Sequence, residues 1–275
     1  MRHGGSIVAE TLLQHDVKFI FTLCGGHISP ILVACREKGI RVVDVRHEAT
    51  AVFASDAVSR LSPAIGVAAV TAGPGLTNTL TAVKNIQMAQ VPVLLLGGAT
   101  ATILKGRGSL QDINQMALLR PLTKHQVIIK RGKDIANEIN RAIIIAQSGV
   151  PGPVFVELPL DLLYPQDLVR ELYGLNTDDQ KRSWWMEKYL QRNLNRIFNG
   201  FETAPKPIPE IMCPMPLPSA VRKASKMIYN SKSPVLLIGS QTMLNVTQVD
   251  NLAQKLASLN MPMFASGMAR GLLSK

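Results

Sequence analysis

Apolar and polar positions alternate in two different rhythms along the chain. Short apolar runs mark strands, and apolar residues recurring every three to four positions mark amphipathic helices. The alternation predicts helix over Ser6–His15, strand over Lys18–Leu23 ending in Gly25-Gly26, and helix over Ile31–Lys38. It continues with strand over Arg41–Val45, helix over Glu48–Arg60 and strand over Ile65–Thr71. That last run is unbroken, the kind buried on both faces of a sheet. After a break at Ala72–Gly75, the pattern predicts helix over Leu76–Gln90 and a second buried strand over Pro92–Leu96. Lys105–Pro121 reads as irregular with a short helix, His125–Lys130 as strand, Asp134–Ser148 as helix and Val154–Leu158 as strand. Strands separated by helices of crossover length imply an α/β fold with a doubly wound parallel sheet.

The rhythm changes after Tyr164-Pro165. Residues 169–218 hold an aromatic and basic helical stretch, Ser183–Phe201, and a tail with Pro205, Pro207, Pro209, Pro214, Pro216 and Pro218. Such a proline-rich tail reads as an extended linker. Alternation resumes with helix over Ala220–Tyr229, strand over Pro234–Ile238, helix over Thr247–Leu259 and strand over Met261–Ala265. The expected organisation is a first α/β domain over 1–168, a linker with an amphipathic helix over 169–218, and an incomplete second α/β domain over 219–275. Two strands are too few to close a core, so the chain reads as a fragment or truncated isoform. In the stretch Ser183–Phe201, Met186, Leu190, Leu194, Ile197 and Phe201 share a helical face that Trp185, Tyr189 and Phe198 widen. Lys181, Arg182, Lys188, Arg192 and Arg196 surround it. Such a face either docks on its own protein, the commoner fate, or lies in a membrane interface.

Composition narrows the classes. Hydrophobic residues make up 47% of the 275 and charged residues 18%, which suits a large buried core and excludes bulk disorder. The three cysteines, Cys24, Cys35 and Cys213, have no metal-ligand spacing and are too few for a disulfide scaffold. No apolar run is long enough to span a bilayer, and Met1–Ser6 does not read as a signal peptide. The net charge of +11 is uneven, and residues 219–275 carry seven basic side chains against the single acid Asp250. With no nucleic-acid motif present, this basic stretch reads as a solvated face and nucleic acid is not an expected partner.

Three turns could carry chemistry. Arg46-His47-Glu48 follows a strand, where open parallel sheets bind ligands. A carboxylate ahead of Ala49, Ala51, Val52 and Phe53 would be poorly solvated and able to share a proton with a ring nitrogen; equally, Glu48 could simply stabilise a helix N-terminus. Thr71-Ala72-Gly73-Pro74-Gly75-Leu76-Thr77-Asn78 lets a ligand approach the backbone, but it matches neither a P-loop nor Gly-x-Gly-x-x-Gly, and on its own it reads as a tight turn. Gly25-Gly26-His27 closes the first strand, where His27 could shuttle a proton or serve structurally, the commoner role. Gln111 and Lys124 read as solvated loop residues. No catalytic triad, paired carboxylates or metal motif is visible.

Taken in order and spacing, these turns resemble the thiamine-diphosphate enzymes of the acetolactate synthase type. The resemblance rests on Gly25-Gly26, Arg46-His47-Glu48-Ala49, Thr71 through Asn78, Gly97-Gly98 and Gly152-Pro153-Val154-Phe155-Val156-Glu157-Leu158-Pro159. The run Phe21–Pro30, Gln87-Met88-Ala89-Gln90 and the Trp/Tyr-rich insert after residue 182 are similar to the animal 2-hydroxyacyl-CoA lyase branch of that family.

The resemblance implies three domains, of which residues 1–168 match the pyrimidine-binding one and 219–275 the opening of the central one. The diphosphate-binding domain, whose Gly-Asp-Gly…Asn motif holds Mg²⁺, has no counterpart here. Glu48 matches the glutamate that bonds the aminopyrimidine and promotes formation of the reactive ylid. Gly73, Pro74, Gly75 and Asn78 match the turn beside that ring, Gly25, Gly26 and His27 the loop near the reacting carbons, and Gln111 a glutamine at the rim. The implied cofactors are thiamine diphosphate and Mg²⁺, with FAD left open. The implied substrate is a 2-hydroxyacyl-CoA, cleaved to formyl-CoA and a shortened aldehyde, or a 2-oxo acid joined by a synthase. The implied assembly is a homodimer or tetramer, and the implied place the cytosolic side of the endoplasmic reticulum membrane. No anchor is visible in the chain, which keeps a cytoplasmic place open. A non-catalytic fragment that dimerises with longer chains is the reading from another class.

Overall fold

The computed structural model describes residues 2–175, 183–201, 215–243 and 248–273. The chain divides into two compact units, one of Met1–Ser59 with Ala64–Glu210 and one of Arg60–Pro63 with Ile211–Lys275. The proline tail through Pro214, together with Lys181, Arg182 and Cys213, lies outside the described residues.

In the larger unit, helices and strands alternate as α1 (Gly4–Gln14), β1 (Phe19–Thr22), α2 (Ser29–Glu37), β2 (Arg41–Asp44), α3 (Glu48–Leu61) and β3 (Gly66–Val70). They continue as α4 (Pro74–Thr77), α5 (Leu80–Ala89), β4 (Val93–Ala99), α6 (Gln115–Leu119), β5 (His125–Ile128), α7 (Ile135–Gln147) and β6 (Val154–Pro159). Then come α8 (Leu160–Leu163), α9 (Gln166–Leu172) and α10 (Trp184–Phe198). The six strands form one parallel sheet in the order β2-β1-β3-β4-β6-β5. Every residue of β3, β4 and β6 is buried, as the unbroken apolar runs of β3 and β4 require, and as the run of β6 requires but for Glu157. One face packs Val67, Leu94, Leu96 and Val156 with α1, α2 and α7. The other packs Ala68, Val70, Leu95 and Phe155 with α3 and α5. β1 pairs with β2 on one side and β3 on the other, so the chain reverses its winding there and opens a crevice at the strands' carboxyl ends.

The helix expected over Leu76–Gln90 is two helices, because Asn78 and Thr79 interrupt it. The Thr79 hydroxyl donates back to the Leu76 carbonyl at 2.7 Å, and the Asn78 side chain is drawn into a tertiary bond. β4 runs on through Gly97 and Gly98, three residues beyond the expected Leu96. A side chain at Gly97 would meet the Phe155 ring at 2.5 Å, and one at Gly98 would meet His27 Cβ at 2.5 Å. A further helix, α9, starts just after Pro165 and covers the position at which the linker was expected to begin.

α10 is amphipathic, as its spacing predicts. Leu190, Leu194 and Ile197 are buried, with Leu190 and Leu194 against Val169 and Tyr173 of the α9 region and Ile197 beside Phe201 in the main core. The expected face is therefore docked over most of its length. Its first two turns stay largely outside: Trp184, Trp185, Met186 and Tyr189 are exposed, with the Lys188 ammonium 4.6 Å from the Trp184 ring centre.

The smaller unit holds α11 (Pro218–Tyr229), β7 (Leu236–Ile238), α12 (Val249–Ala257) and β8 (Met263–Ala265). The two strands pair in parallel, and Ile238, Ala269 and Leu272 form the buried centre. The fold is thus α/β, a six-stranded parallel sheet with a small second sheet.

Candidate active site

Three strand-to-helix turns meet at the crevice, and Thr71, directly after β3, lies among them. Its side chain touches the position a methyl on Gly25 would take, at 2.5 Å, and the position a methyl on Gly75 would take, at 2.6 Å. Its hydroxyl shares a 3.0 Å hydrogen bond with His27 Nδ1. Only glycine fits at either contact, since a Cβ would overlap Thr71.

Glu48 opens α3 just past β2 and is 6% exposed. Asn78 Nδ2 donates to its Oε2 at 2.9 Å, and a methyl on Gly75 would sit 3.4 Å from its Oε1. Ala51 and Val52 are buried beside it, while Phe53 faces outward. His47 is exposed and accepts from the Ala49 amide at 3.1 Å, a helix-capping role. Gly73 has φ +63° and precedes Pro74 at the start of α4. A Cβ on Gly73 would lie 2.8 Å from Gln111 Cβ, so the 100–114 loop rests on this turn. Gln111 itself takes φ +61°, a left-handed conformation unusual for a side chain of its size. Burial pushes His27 below the ordinary histidine range, which favours the neutral ring.

The structure therefore gathers Glu48, Asn78, Gly73, Pro74, Gly75, Gly25, His27 and Gln111 around Thr71. Gly26 stands at the rim, where its carbonyl accepts from the Tyr164 hydroxyl at 3.0 Å. Lys124 is not part of this group; it precedes β5, at the opposite end of the strands. An open cavity of about 610 Å³ lies beside His27, Thr71 and Gln111, lined otherwise by Cys24, Gly25, Gly26, Leu110, Leu160, Tyr164, Leu168 and Leu172.

Two buried acids anchor the 100–114 loop, and sequence reasoning did not single them out. Glu157 on β6 binds Lys105 Nζ at 2.7 Å and Gln115 Nε2 at 3.1 Å. Asp161 Oδ2 accepts from the Thr102 amide at 2.8 Å, the Thr102 hydroxyl at 2.5 Å and the Tyr173 hydroxyl at 2.6 Å. Asn193 of α10 then donates to the Thr102 and Tyr173 oxygens, each at 3.2 Å. Burial pushes the Asp161 carboxyl above the usual range, against the lowering effect of these bonds. The available signal was an acid inside an otherwise apolar run, since buried charges are rare unless partnered.

Among the described residues no cluster of three or more His, Cys, Asp or Glu could hold a metal ion, and no helix is long and apolar enough to cross a membrane.

Comparison with known proteins shows what the chain is similar to. The family described as "Thiamine pyrophosphate enzyme, N-terminal TPP binding domain" matches residues 2–118. The chain is 52% identical over 277 residues to 2-hydroxyacyl-CoA lyase 2 of Danio rerio, covering 100% of this chain and 44% of that protein. It is 50% identical over 284 residues to 2-hydroxyacyl-CoA lyase 2 of Homo sapiens, again covering 100% and 44%. A probable acetolactate synthase of Mycobacterium bovis is 29% identical over 271 residues, covering 98% of this chain and 44% of that protein. The chain thus spans less than half the length of the curated relatives it matches. Residues 2–118 thus match the N-terminal domain of the thiamine pyrophosphate enzymes, and the chain over its whole length is similar to 2-hydroxyacyl-CoA lyase 2.

Proposed function

We propose that this chain is the pyrimidine-binding part of a thiamine-diphosphate-dependent carbon–carbon lyase that cleaves a 2-hydroxyacyl-CoA to formyl-CoA and an aldehyde one carbon shorter. The observation that carries the reading is the buried Glu48 carboxylate, fixed by Asn78 beside the side-chain-free Gly73-Pro74-Gly75 turn. This donor set fits the aminopyrimidine end of the cofactor: a carboxylate for a ring nitrogen, next to a backbone that a flat ring can approach. The identity to 2-hydroxyacyl-CoA lyase 2 supports the lyase reading over the synthase one.

When bound, thiamine diphosphate supplies a thiazolium carbon that adds to carbonyls and takes up the electron pair released on carbon–carbon cleavage. Glu48 would hold the proton shared with the aminopyrimidine ring. Asn78 keeps the carboxylate turned toward that ring. His27, kept neutral by burial and oriented by Thr71, would accept a proton from the substrate hydroxyl. Gln111, resting on Gly73, would donate to the reacting carbonyl. The Mg²⁺ and diphosphate ligands are assigned to a diphosphate-binding domain outside this sequence, so the chain alone is expected to give no turnover. The same resemblance supports a homodimer or tetramer and placement at the cytosolic side of the endoplasmic reticulum.

The test is hydrogen–deuterium exchange at the thiazolium C2 in a chimera joining this chain to the remainder of the Danio rerio protein. Glu48→Gln should slow exchange by several orders of magnitude with circular dichroism unchanged, because a neutral amide cannot relay the proton. An unchanged rate removes Glu48 from the reaction.

A further inference from the structure

We infer that the cavity beside His27 receives the unbranched alkyl chain of a neutral acyl thioester, with Leu168 and Leu172 of α9 setting the chain length. The inference rests on the lyase reading and locates the part of the substrate which that reading leaves unplaced. Among the described residues, no Asp, Glu, Lys or Arg lines the cavity. A 2-oxo acid would bring a carboxylate into it with no cation among these residues to meet it, and burial disfavours a charged His27. The Tyr164 hydroxyl is engaged by the Gly26 carbonyl, and the Thr71 hydroxyl by His27. That leaves the Gln111 amide and the far side of the His27 ring for one small polar group, the 2-hydroxy thioester head. Beside Cys24, Gly25 and Gly26, the rest of the wall is four leucines, Leu110, Leu160, Leu168 and Leu172. Leu172 is 60% and Leu110 78% exposed, apolar surface that an alkyl chain lying in the cavity would cover. The volume of about 610 Å³ is that of a site for a ligand of this size. Neither leucine of α9 belongs to a motif, and the helix that presents them was not expected from the sequence.

Cys24 gives a direct readout, because its exposed thiol lines the cavity while Cys35 is buried with its thiol pushed up to about 12. The rate of Cys24 alkylation by iodoacetamide, assigned by tandem mass spectrometry, is followed in the 275-residue chain. The probes are N-acetylcysteamine thioesters of 2-hydroxybutanoic, 2-hydroxyoctanoic and 2-hydroxydodecanoic acid, each below its micelle concentration, with pyruvate as the small 2-oxo acid. The midpoint for protecting Cys24 should fall by up to about fourfold per methylene until the groove is filled, and pyruvate should not protect. The double change Leu168→Gln, Leu172→Gln should raise the octanoyl midpoint at least tenfold and leave the butanoyl one unchanged. Leu110→Gln, on a different segment, should raise it less. A midpoint independent of chain length, or a wild-type slope in the double variant, overturns the inference. So does probe-free protection that grows with protein concentration and disappears in the double variant, which would make the leucines a contact between copies. The exchange measurement on Glu48 is independent of this series. A flat series beside slowed exchange in Glu48→Gln removes the groove alone, and a steep series beside unchanged exchange removes the lyase chemistry and leaves an acyl-binding site.

Discussion

The two units use one alternation of strand and helix with opposite results. In the six-stranded sheet all of β3 and β4 is buried, with helices on both faces. In the two-stranded sheet Leu237 is 79% and Phe264 62% exposed, and neither α11 nor α12 contains a fully buried residue. A βαβ repeat therefore sets strand direction but not closure. Closure needs enough neighbouring strands to give each helix a floor and each apolar face a cover. The turns of the candidate site lie in the closed unit, where the sheet holds them in register.

This contrast can be broken at its strongest point. Phe155 is among the largest fully buried side chains, and it packs on the Gly97 backbone in the centre of the sheet. Phe155→Ala should cost about 3–5 kcal/mol of stability in a denaturant titration. A loss no greater than that of an exposed leucine would show that the sheet is not the stable part. Next in size is the difference in local opening. Amides of β3 and β4 should exchange hydrogen only near global unfolding, whereas those of β7 and β8 should exchange orders of magnitude sooner; equal protection would erase the distinction between the units.

A smaller effect concerns acid. Burial holds His15, His27 and His125 below the ordinary value of 6.5. A base depressed in the folded state binds fewer protons there than in the unfolded chain. Its contribution is therefore complete above about pH 6.5 and lost as pH falls through the folded values. The larger unit should lose stability over that window, and His15→Gln, able to keep a bond to Asn140, should flatten the slope. A slope unchanged by His15→Gln would assign the acid loss to other groups. The smallest expected effect is Leu237→Ser, within about 0.5 kcal/mol because the side chain is mostly in water. A larger loss would mean that the exposed face is covered in solution.

Legibility followed the range of the interactions. β3 and β4 were readable because double-sided burial leaves an unbroken apolar run, and β6 because its run is broken by Glu157 alone. The interruption at Asn78 was not, because its side chain leaves the helix for Glu48, thirty residues away in sequence. Gln111 read as a solvated loop residue, since nothing local reveals that its backbone rests on Gly73. The extension of β4 through Gly97-Gly98 goes against strand propensity and is explained only by Phe155 and His27 across the contact. The turns around Glu48, His27 and Gly73 were visible as motifs, but their meeting at Thr71 depends on the strand order. The leucines of α9 carried no signal, because a short helix behind Pro165 gives too few turns for a period.

The knot around Asp161 also has a consequence for synthesis. Thr102, in the loop that carries Gln111, is bonded to Asn193, 91 residues later. At about 5–20 residues per second the ribosome releases that partner roughly 5–18 s after Thr102 itself. Late in that interval β6 and Asp161 are already made, but the helix that completes the polar knot is not, and a carboxyl destined for burial lacks part of its final shell. The loop over the candidate site is thus among the last pieces of this unit to settle, and a nascent chain stalled before α10 would present a finished sheet with an unfastened rim.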